Sequence, residues 1–246
     1  MIIAVLSDIH GNLAALESVV RDMPPADEVW CLGDIVGYGP RPNECIEMLQ
    51  TLKPTVVVAG NHDWAAVDKL DSREFNPEAA EAVRWTARQL SPENKLLLKA
   101  LPVRATRGEW TIVHGSPRFP VSEYIFDCSD ALPSFAHFDT RYCLVGHTHV
   151  PGMFISVEDQ TGKPKCVAHK VESREAIAIP HRQAIINPGS VGQPRDGDYR
   201  ASYALIEADT RKLELRRVPY NVEQTQDEMR QVGLPARLWL RLSYGL

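Results

Sequence analysis

The sequence contains no apolar run approaching the roughly 20 residues that a membrane-spanning helix needs. Its apolar opening, Met1–Leu6, passes straight into Ser7 and Asp8; it is too short for a signal-peptide core and reads as a first strand. There is no CxxC pair. The five cysteines (Cys31, Cys45, Cys128, Cys143 and Cys166) are scattered and odd in number, which argues against a disulfide framework and for reduced thiols in a cytoplasmic protein. No block of Lys or Arg appears, and the formal net charge is -5. A nucleic-acid polymer is therefore not expected as partner, because nothing would neutralise its backbone. A small phosphorylated ligand is still compatible, since bound cations add charge that the formal count omits. No Pro/Gly/Ser-rich linker, internal repeat or low-complexity tract divides the chain, so residues 1–246 are expected to form one domain. The apolar fraction of 44% and charged fraction of 24% are those of an ordinary globular protein.

What is present is an alternation of strand and helix. Ile2–Leu6 is a continuous apolar run, as expected of a strand buried on both faces. Leu13, Leu16 and Val20 follow at helical spacing, with Asn12 as N-cap. Residues 29–32 form a second buried strand, Pro42 opens a second helix carrying Ile46 and Leu49, and residues 55–59 are a β-branched third strand. This order implies right-handed crossovers and parallel pairing. Residues 77–100 read as two helices, one opened by Pro77 and one by Ser91-Pro92. Strand signals then dominate at Trp110–Val113 and at residues 142–145, 153–157, 183–186, 202–206 and 213–218. Residues 159–180 are polar and weakly patterned, suggesting a hairpin extension around 152–185 or a mobile loop, and residues 172–175 read as a solvated face. From residue 222 the chain reads as helix, although Leu238, Leu240 and Leu242 alternate as a strand would.

The chemistry collects where strands stop. The first runs into Asp8-Ile9-His10, the second into Gly33-Asp34, the third into Gly60-Asn61-His62-Asp63, the fourth into His114-Gly115, and the fifth into Gly146-His147-Thr148-His149. Ligands of parallel α/β sheets bind at the carboxyl ends of strands, and five of the eight histidines lie in these turns. In extended chain, residues i and i+2 point to one side, so Asp8 and His10 can share an ion, and His147 and His149 can face one ion or straddle two. The neighbouring glycines allow sharp turns and close backbone approach. Carboxylate, amide and imidazole donors together suit Mn, Fe, Ni, Co or Zn. Asp8, His10, Asp34, Asn61, His114, His147 and His149 exceed one tetrahedral site and suit two divalent ions sharing a carboxylate.

The ordered set Asp8-x-His10, Gly33-Asp34, Gly60-Asn61-His62-Asp63, His114 and Gly146-His147-Thr148-His149 resembles the signature of the calcineurin-like metallophosphoesterase superfamily. The segment from Asn187 to Arg195 resembles the closing loop of its small bacterial and archaeal phosphodiesterase-like members. The resemblance implies an α/β fold in which two mixed β-sheets form a sandwich flanked by helices. It implies that Asp8, His10 and His149 hold one ion and that Asn61, His114 and His147 hold the other, with Asp34 bridging. His62 would stand at the leaving-group oxygen as acid or charge stabiliser, oriented by Asp63. A metal-bridging water would attack phosphorus directly, without a phosphoenzyme.

Asn12, Arg41, Arg118 and Arg195 are candidates to grip a substrate phosphate, each arginine against the alternative of a solvated loop residue. Tyr38 and Phe119 could stack on a nucleobase or simply pack, and Asn187 and Ser190 suit a supporting turn. His137, His169 and His181 are given no role. Two other functions fit the fold: a scaffold that has lost catalysis, and a protein phosphatase. Every ligand position and His62 are intact, which disfavours the first. Protein-phosphatase relatives carry Glu after Asn-His and an Asp-Arg-Gly element after the second block; Asp63 and Gly37-Tyr38-Gly39-Pro40 depart from that. The substrate class expected is a small phosphodiester or phosphomonoester, including nucleotides.

Overall fold

A computed structural model describes residues 1–173 and 175–246. Arg174, within the stretch read as a solvated face, lies outside the described residues. In chain order the first half comprises β1 (Ile2–Leu6), α1 (Leu13–Asp22), β2 (Glu28–Cys31), α2 (Pro42–Thr51), β3 (Val56–Val57), α3 (Asn61–Ala66), α4 (Pro77–Gln89) and α5 (Pro92–Ala100). The second half comprises β4 (Arg104–Arg107), β5 (Trp110–Val113), α6 (Cys128–Ser134), β6 (Tyr142–Leu144), β7 (Gly152–Glu158), β8 (Pro164–His169), β9 (Ala176–Ala178), β10 (Ala184–Asn187), β11 (Ala201–Glu207), β12 (Lys212–Val218), α7 (Val222–Gln231) and α8 (Ala236–Leu240).

These strands form two mixed six-stranded sheets, ordered β3-β2-β1-β11-β12-β9 and β4-β5-β6-β10-β7-β8. Helices flank them, as the family resemblance implied. The parallel pairs β1–β2 and β2–β3 follow from the alternation at the start of the chain. The unbroken apolar run of β1 has a direct cause. Ile3 and Val5 face the other sheet, packing with Trp30, Trp110, Tyr142 and Ile186. Ala4 and Leu6 face the helices, packing with Leu16, Val19 and Ile46. Alternate residues thus reach two apolar environments, and no polar position is tolerated.

Local signals place the helices. Asn12 accepts from the Ala15 N–H at the start of α1, Asn76 from Ala79 before Pro77, and Ser91 from Asn94 before Pro92. The third strand is shorter than the pattern suggested, only Val56–Val57. Residues 159–180 supply edge strands: β8 pairs with β7 in one sheet, and β9 with β12 in the other. The alternation of Leu238, Leu240 and Leu242 proves helical. Leu238 and Leu242, one turn apart, bury against Tyr38 and Ala79, while Leu240 is half exposed.

Candidate metal centre

The five motif-bearing turns come from both sheets, so the cluster sits across the end of the sandwich. Asp8 and His10 do not converge by lying in extended chain. Both are left-handed, with φ of 53° and 50°, so β1 has already ended and the turn curls around the site. Among the described residues, five of the nine non-glycine residues with positive φ are Asp8, His10, Asp34, His147 and His149. Such conformations cost on the order of 1–3 kcal/mol each and persist where the surroundings over-determine them. Here the backbone does so: Asp8 N–H donates to Gly33 O (3.0 Å), His10 N–H to Asp34 O (2.9 Å), and Gly192 N–H to Asp8 O (2.9 Å). Gly60 is required sterically, because a Cβ there would stand 2.0 Å from Asp34 Oδ1.

The inner atoms form two groups. In the first, His149 Nε2 lies 3.2 Å from Asp8 Oδ1, and His10 Nε2 lies 3.0 Å from His149 Nε2. In the second, His114 Nε2 lies 3.3 Å from Asp34 Oδ2, 3.1 Å from His147 Nδ1 and 3.2 Å from Asn61 Oδ1. Asp34 Oδ2 also lies 3.6 Å from His10 Nε2, which puts it between the groups.

The outer ring nitrogens decide the tautomers. His10 Nδ1 donates to Val36 O (3.2 Å), His114 Nδ1 to Leu32 O (2.9 Å), His149 Nδ1 to Gln193 O (2.6 Å), and His147 Nε2 to Ser122 O (3.2 Å). A carbonyl only accepts, so each outer nitrogen carries a proton; His10, His147 and His149, kept neutral by burial, turn a bare lone pair inward, and His114 does so once a cation in place of its second proton balances Asp34. Lone pairs about 3 Å apart repel unless something positive lies between them. Asp8 Oδ1 and Asp34 Oδ2 are likewise buried without a hydrogen-bond partner among the described residues. Buried acceptors are rarely left so, and the donor chemistry fits divalent cations. Asp8-His10-His149 and Asp34-His114-His147 each bring their ligand atoms within 4.8 Å, as do His10-Asp34-His62.

His62 heads α3, and its N–H donates to Asp34 Oδ1 (2.9 Å). Its ring packs against Tyr38 (4.4 Å), Phe75 (4.8 Å) and His10 (4.9 Å), and its Nδ1 has no partner among the described residues. Asp63 does not reach that ring: its oxygens accept from Val36 N–H (3.1 Å) and Gly60 N–H (3.0 Å), so it ties together the loops that carry Asp34 and Asn61.

The remaining candidates separate. Arg195 rests 5.7 Å over the Tyr38 ring and donates to Gln193 Oε1 (2.7 Å). Its charge reaches the site, helping burial to hold His149 below its ordinary value. Arg41 is held by Glu228 and Glu44, and Arg118 by Glu123. Asn12 is occupied in the fold: it caps α1, accepts from Thr225 and donates to Gly192 O. Asn187 donates to Gly146 O (2.8 Å), and Ser190 to Asp8 O (2.8 Å), so both brace ligand-bearing turns. Tyr38 is buried between histidines and is packing.

Sequence reasoning missed Tyr124, which stacks on His147 at 3.7 Å, and Phe75. No periodicity marks either. With Asn61, His62 and His147 they line a cavity of about 280 Å³ beside the cluster.

The electrostatics give a testable pH response. In the metal-free protein, burial pushes His62 down to about 4, and burial with the charge of His114 pushes His147 to about 3. Burial also depresses His10 and His149. Burial and the Asp34 charge push Asp63 up to about 7. For His114 burial acts downward but Asp34 overrides it, giving about 9. As pH falls through about 6.5 the unfolded chain protonates histidines that the folded chain keeps neutral, which destabilises the fold. Asp63 opposes this, since the folded state holds its proton from about pH 7 downward, but it is one group against several. The stability from His114 is complete below about 6.5 and is lost only as pH rises through about 9. The melting temperature of metal-stripped protein should therefore fall by at least about 5 °C between pH 7 and pH 5. A scanning calorimeter reads this directly, and a rise would contradict the inward neutral rings.

Comparison with known proteins agrees. Residues 1–211 match the model of the calcineurin-like phosphoesterase superfamily domain. The chain belongs to the calcineurin-like phosphoesterase superfamily. A metallophosphoesterase from Sphaerobacter thermophilus is 45% identical, with a TM-score of 0.88 over 100% of both chains. The uncharacterized protein MJ0912 of Methanocaldococcus jannaschii is 38% identical over 99% of this chain and 98% of its own. The symmetrical bis(5'-nucleosyl)-tetraphosphatase of Klebsiella pneumoniae is 32% identical, but over only 38% of this chain and 40% of that protein. As a calcineurin-like phosphoesterase the chain is a phosphoric ester hydrolase, and no described helix is long and apolar enough to cross a membrane.

Proposed function

We propose that this phosphoesterase uses two divalent ions to hydrolyse a small phosphodiester or phosphomonoester by direct attack of water. The observation that carries the reading is Asp34 Oδ2, buried and without a partner among the described residues, between two groups of inward lone pairs. Asp8, His10 and His149 would hold one ion, and Asn61, His114 and His147 the other, with Asp34 shared. Bound there, the ions would acidify water and neutralise the phosphoryl oxygens.

The chain's own residues do the rest. Carbonyls of Leu32, Val36, Ser122 and Gln193 fix each imidazole in the ligating tautomer. His62, held by packing and by Asp34, faces the cavity where a leaving group would lie and donates to its oxygen. Asp63 positions the two loops and does not itself touch substrate. Arg195, free of any carboxylate among the described residues and over Tyr38, grips a non-bridging phosphoryl oxygen.

Metal-stripped protein should regain turnover of p-nitrophenyl phosphate or bis(p-nitrophenyl) phosphate on addition of Mn²⁺, Fe²⁺, Ni²⁺, Co²⁺ or Zn²⁺. At least one ion should raise the rate by about 10²-fold or more over stripped protein. Silence with every ion would end the enzymatic reading and favour a scaffold.

A further inference from the structure

The cavity beside the metal cluster has a composition that bears on the substrate. Asn61, His62 and His147 bring it against the cluster, and the rings of Phe75 and Tyr124 and the side chain of Leu70 give it apolar surface. Tyr124 lies 42% exposed, stacked on His147 at an interplanar angle of 14°, and the Phe75 ring meets the His62 ring at 4.8 Å. Among the described residues, the one lining carboxylate is Glu74, and no Lys or Arg lines the cavity. Arg195 stands 5.7 Å over the lining Tyr38 ring without itself lining the cavity, and the reading above gives it to the transferred phosphoryl group. At about 280 Å³ the space falls at the small end of ligand sites, which run from about 300 to 1,000 Å³. It suits one ring system with its substituents and is too small for a long chain.

Resting on the two-ion reading above, we infer that this cavity is the leaving-group subsite and that it selects an uncharged alcohol bearing a planar ring (an aryl or nucleoside group) over a polyphosphate. A departing di- or triphosphate carries several negative charges. It would have to lie between aromatic faces beside Glu74, with no lining cation to neutralise it, and anionic ligands are held elsewhere by guanidinium or ammonium groups. An aromatic or heterocyclic group packs favourably on Phe75 and Tyr124 and can donate to Glu74.

Two substrates isolate the effect, because each presents a terminal phosphoryl group on a good leaving group: p-nitrophenyl phosphate, whose leaving group is an aryl alcohol, and ATP, whose leaving group is the ADP polyanion. With free metal buffered, the protein should show kcat/KM at least about 10-fold higher for the aryl ester. Glu74→Lys should narrow that ratio by about 5-fold, the size expected when an exposed charge is reversed. ATP hydrolysed as well as the aryl ester, or a ratio unmoved by Glu74→Lys, would overturn the inference. A readout independent of turnover separates this from the phosphoesterase reading. Saturation-transfer NMR on metal-loaded protein should detect thymidine, with the transfer signal abolished in Phe75→Ala and weakened in Phe75→Leu, which keeps the bulk without the ring. If no ester is turned over with any metal yet thymidine binds in this way, the phosphoesterase reading falls and takes the leaving-group role with it, leaving the cavity as a nucleoside-binding site. If turnover is present and thymidine binding ignores Phe75, the pocket assignment falls alone.

Discussion

Asp34→Asn is expected to release both ions together and to lower kcat/KM by about 10³-fold or more. The cause is geometric. Asp34 Oδ1 accepts the His62 N–H at 2.9 Å, so an asparagine must keep its oxygen on that side to avoid setting donor against donor. Its NH₂ is then forced into the place of Oδ2, 3.3 Å from His114 Nε2 and 3.6 Å from His10 Nε2. Two lone pairs that would serve different ions would instead accept hydrogen bonds from one amide. The site also loses the negative charge that raises His114. Removing a single transition-state donor from an active site commonly costs about 10²–10³ in rate, and here the Lewis acid itself is removed. Metal content after dialysis, measured by plasma mass spectrometry, is the test. Loss of one ion with the other retained would show that Asp34 belongs to one site alone.

The same geometry explains which parts of the molecule were legible beforehand. Asp34 could be picked from the sequence because Gly33-Asp34 stands where an apolar run stops, and strand ends gather ligands in such folds. The caps at Asn12 and Ser91 carry their own local physics and landed where expected. The left-handed backbone at Asp8, His10, His147 and His149 was not legible, since its cause is tertiary hydrogen bonding to loops such as residues 33–35 and 190–193. The carbonyls that fix the histidine tautomers were equally invisible, because any residue type supplies one. Tyr124 and Phe75 reach the site from connecting segments without periodicity. The C-terminal leucines misled because alternation over so few residues cannot separate a strand from one face of a helix. Their burial against Tyr38 and Ala79 settled the matter. Arg41 and Arg118 sit in loops suited to phosphate binding, and only the structure reveals Glu228, Glu44 and Glu123 beside them.

His62→Ala separates ligand from catalyst. The His62 ring stands in a group with His10 and Asp34 whose atoms lie within 4.8 Å of one another, so a role in holding metal is a specific alternative to a role at the leaving oxygen. Its environment favours the latter. Burial pushes it down to about 4, so near pH 7 it is neutral and acts as a hydrogen-bond donor, not as an imidazolium. It lines the cavity assigned to the leaving group, and its N–H already completes the coordination of Asp34 Oδ1 from the backbone, which the substitution preserves. The variant should therefore bind both ions with unchanged stoichiometry and lose about 10²-fold or more in kcat. The loss should also depend on the leaving group. A p-nitrophenolate departs with little help, whereas an alkoxide needs its charge met as it forms, so the deficit should be larger on an alkyl phosphate than on p-nitrophenyl phosphate. An equal deficit on both esters would move His62 away from the leaving oxygen. Loss of metal would place it among the ligands, with its unpartnered Nδ1 or the opposite nitrogen as the donor.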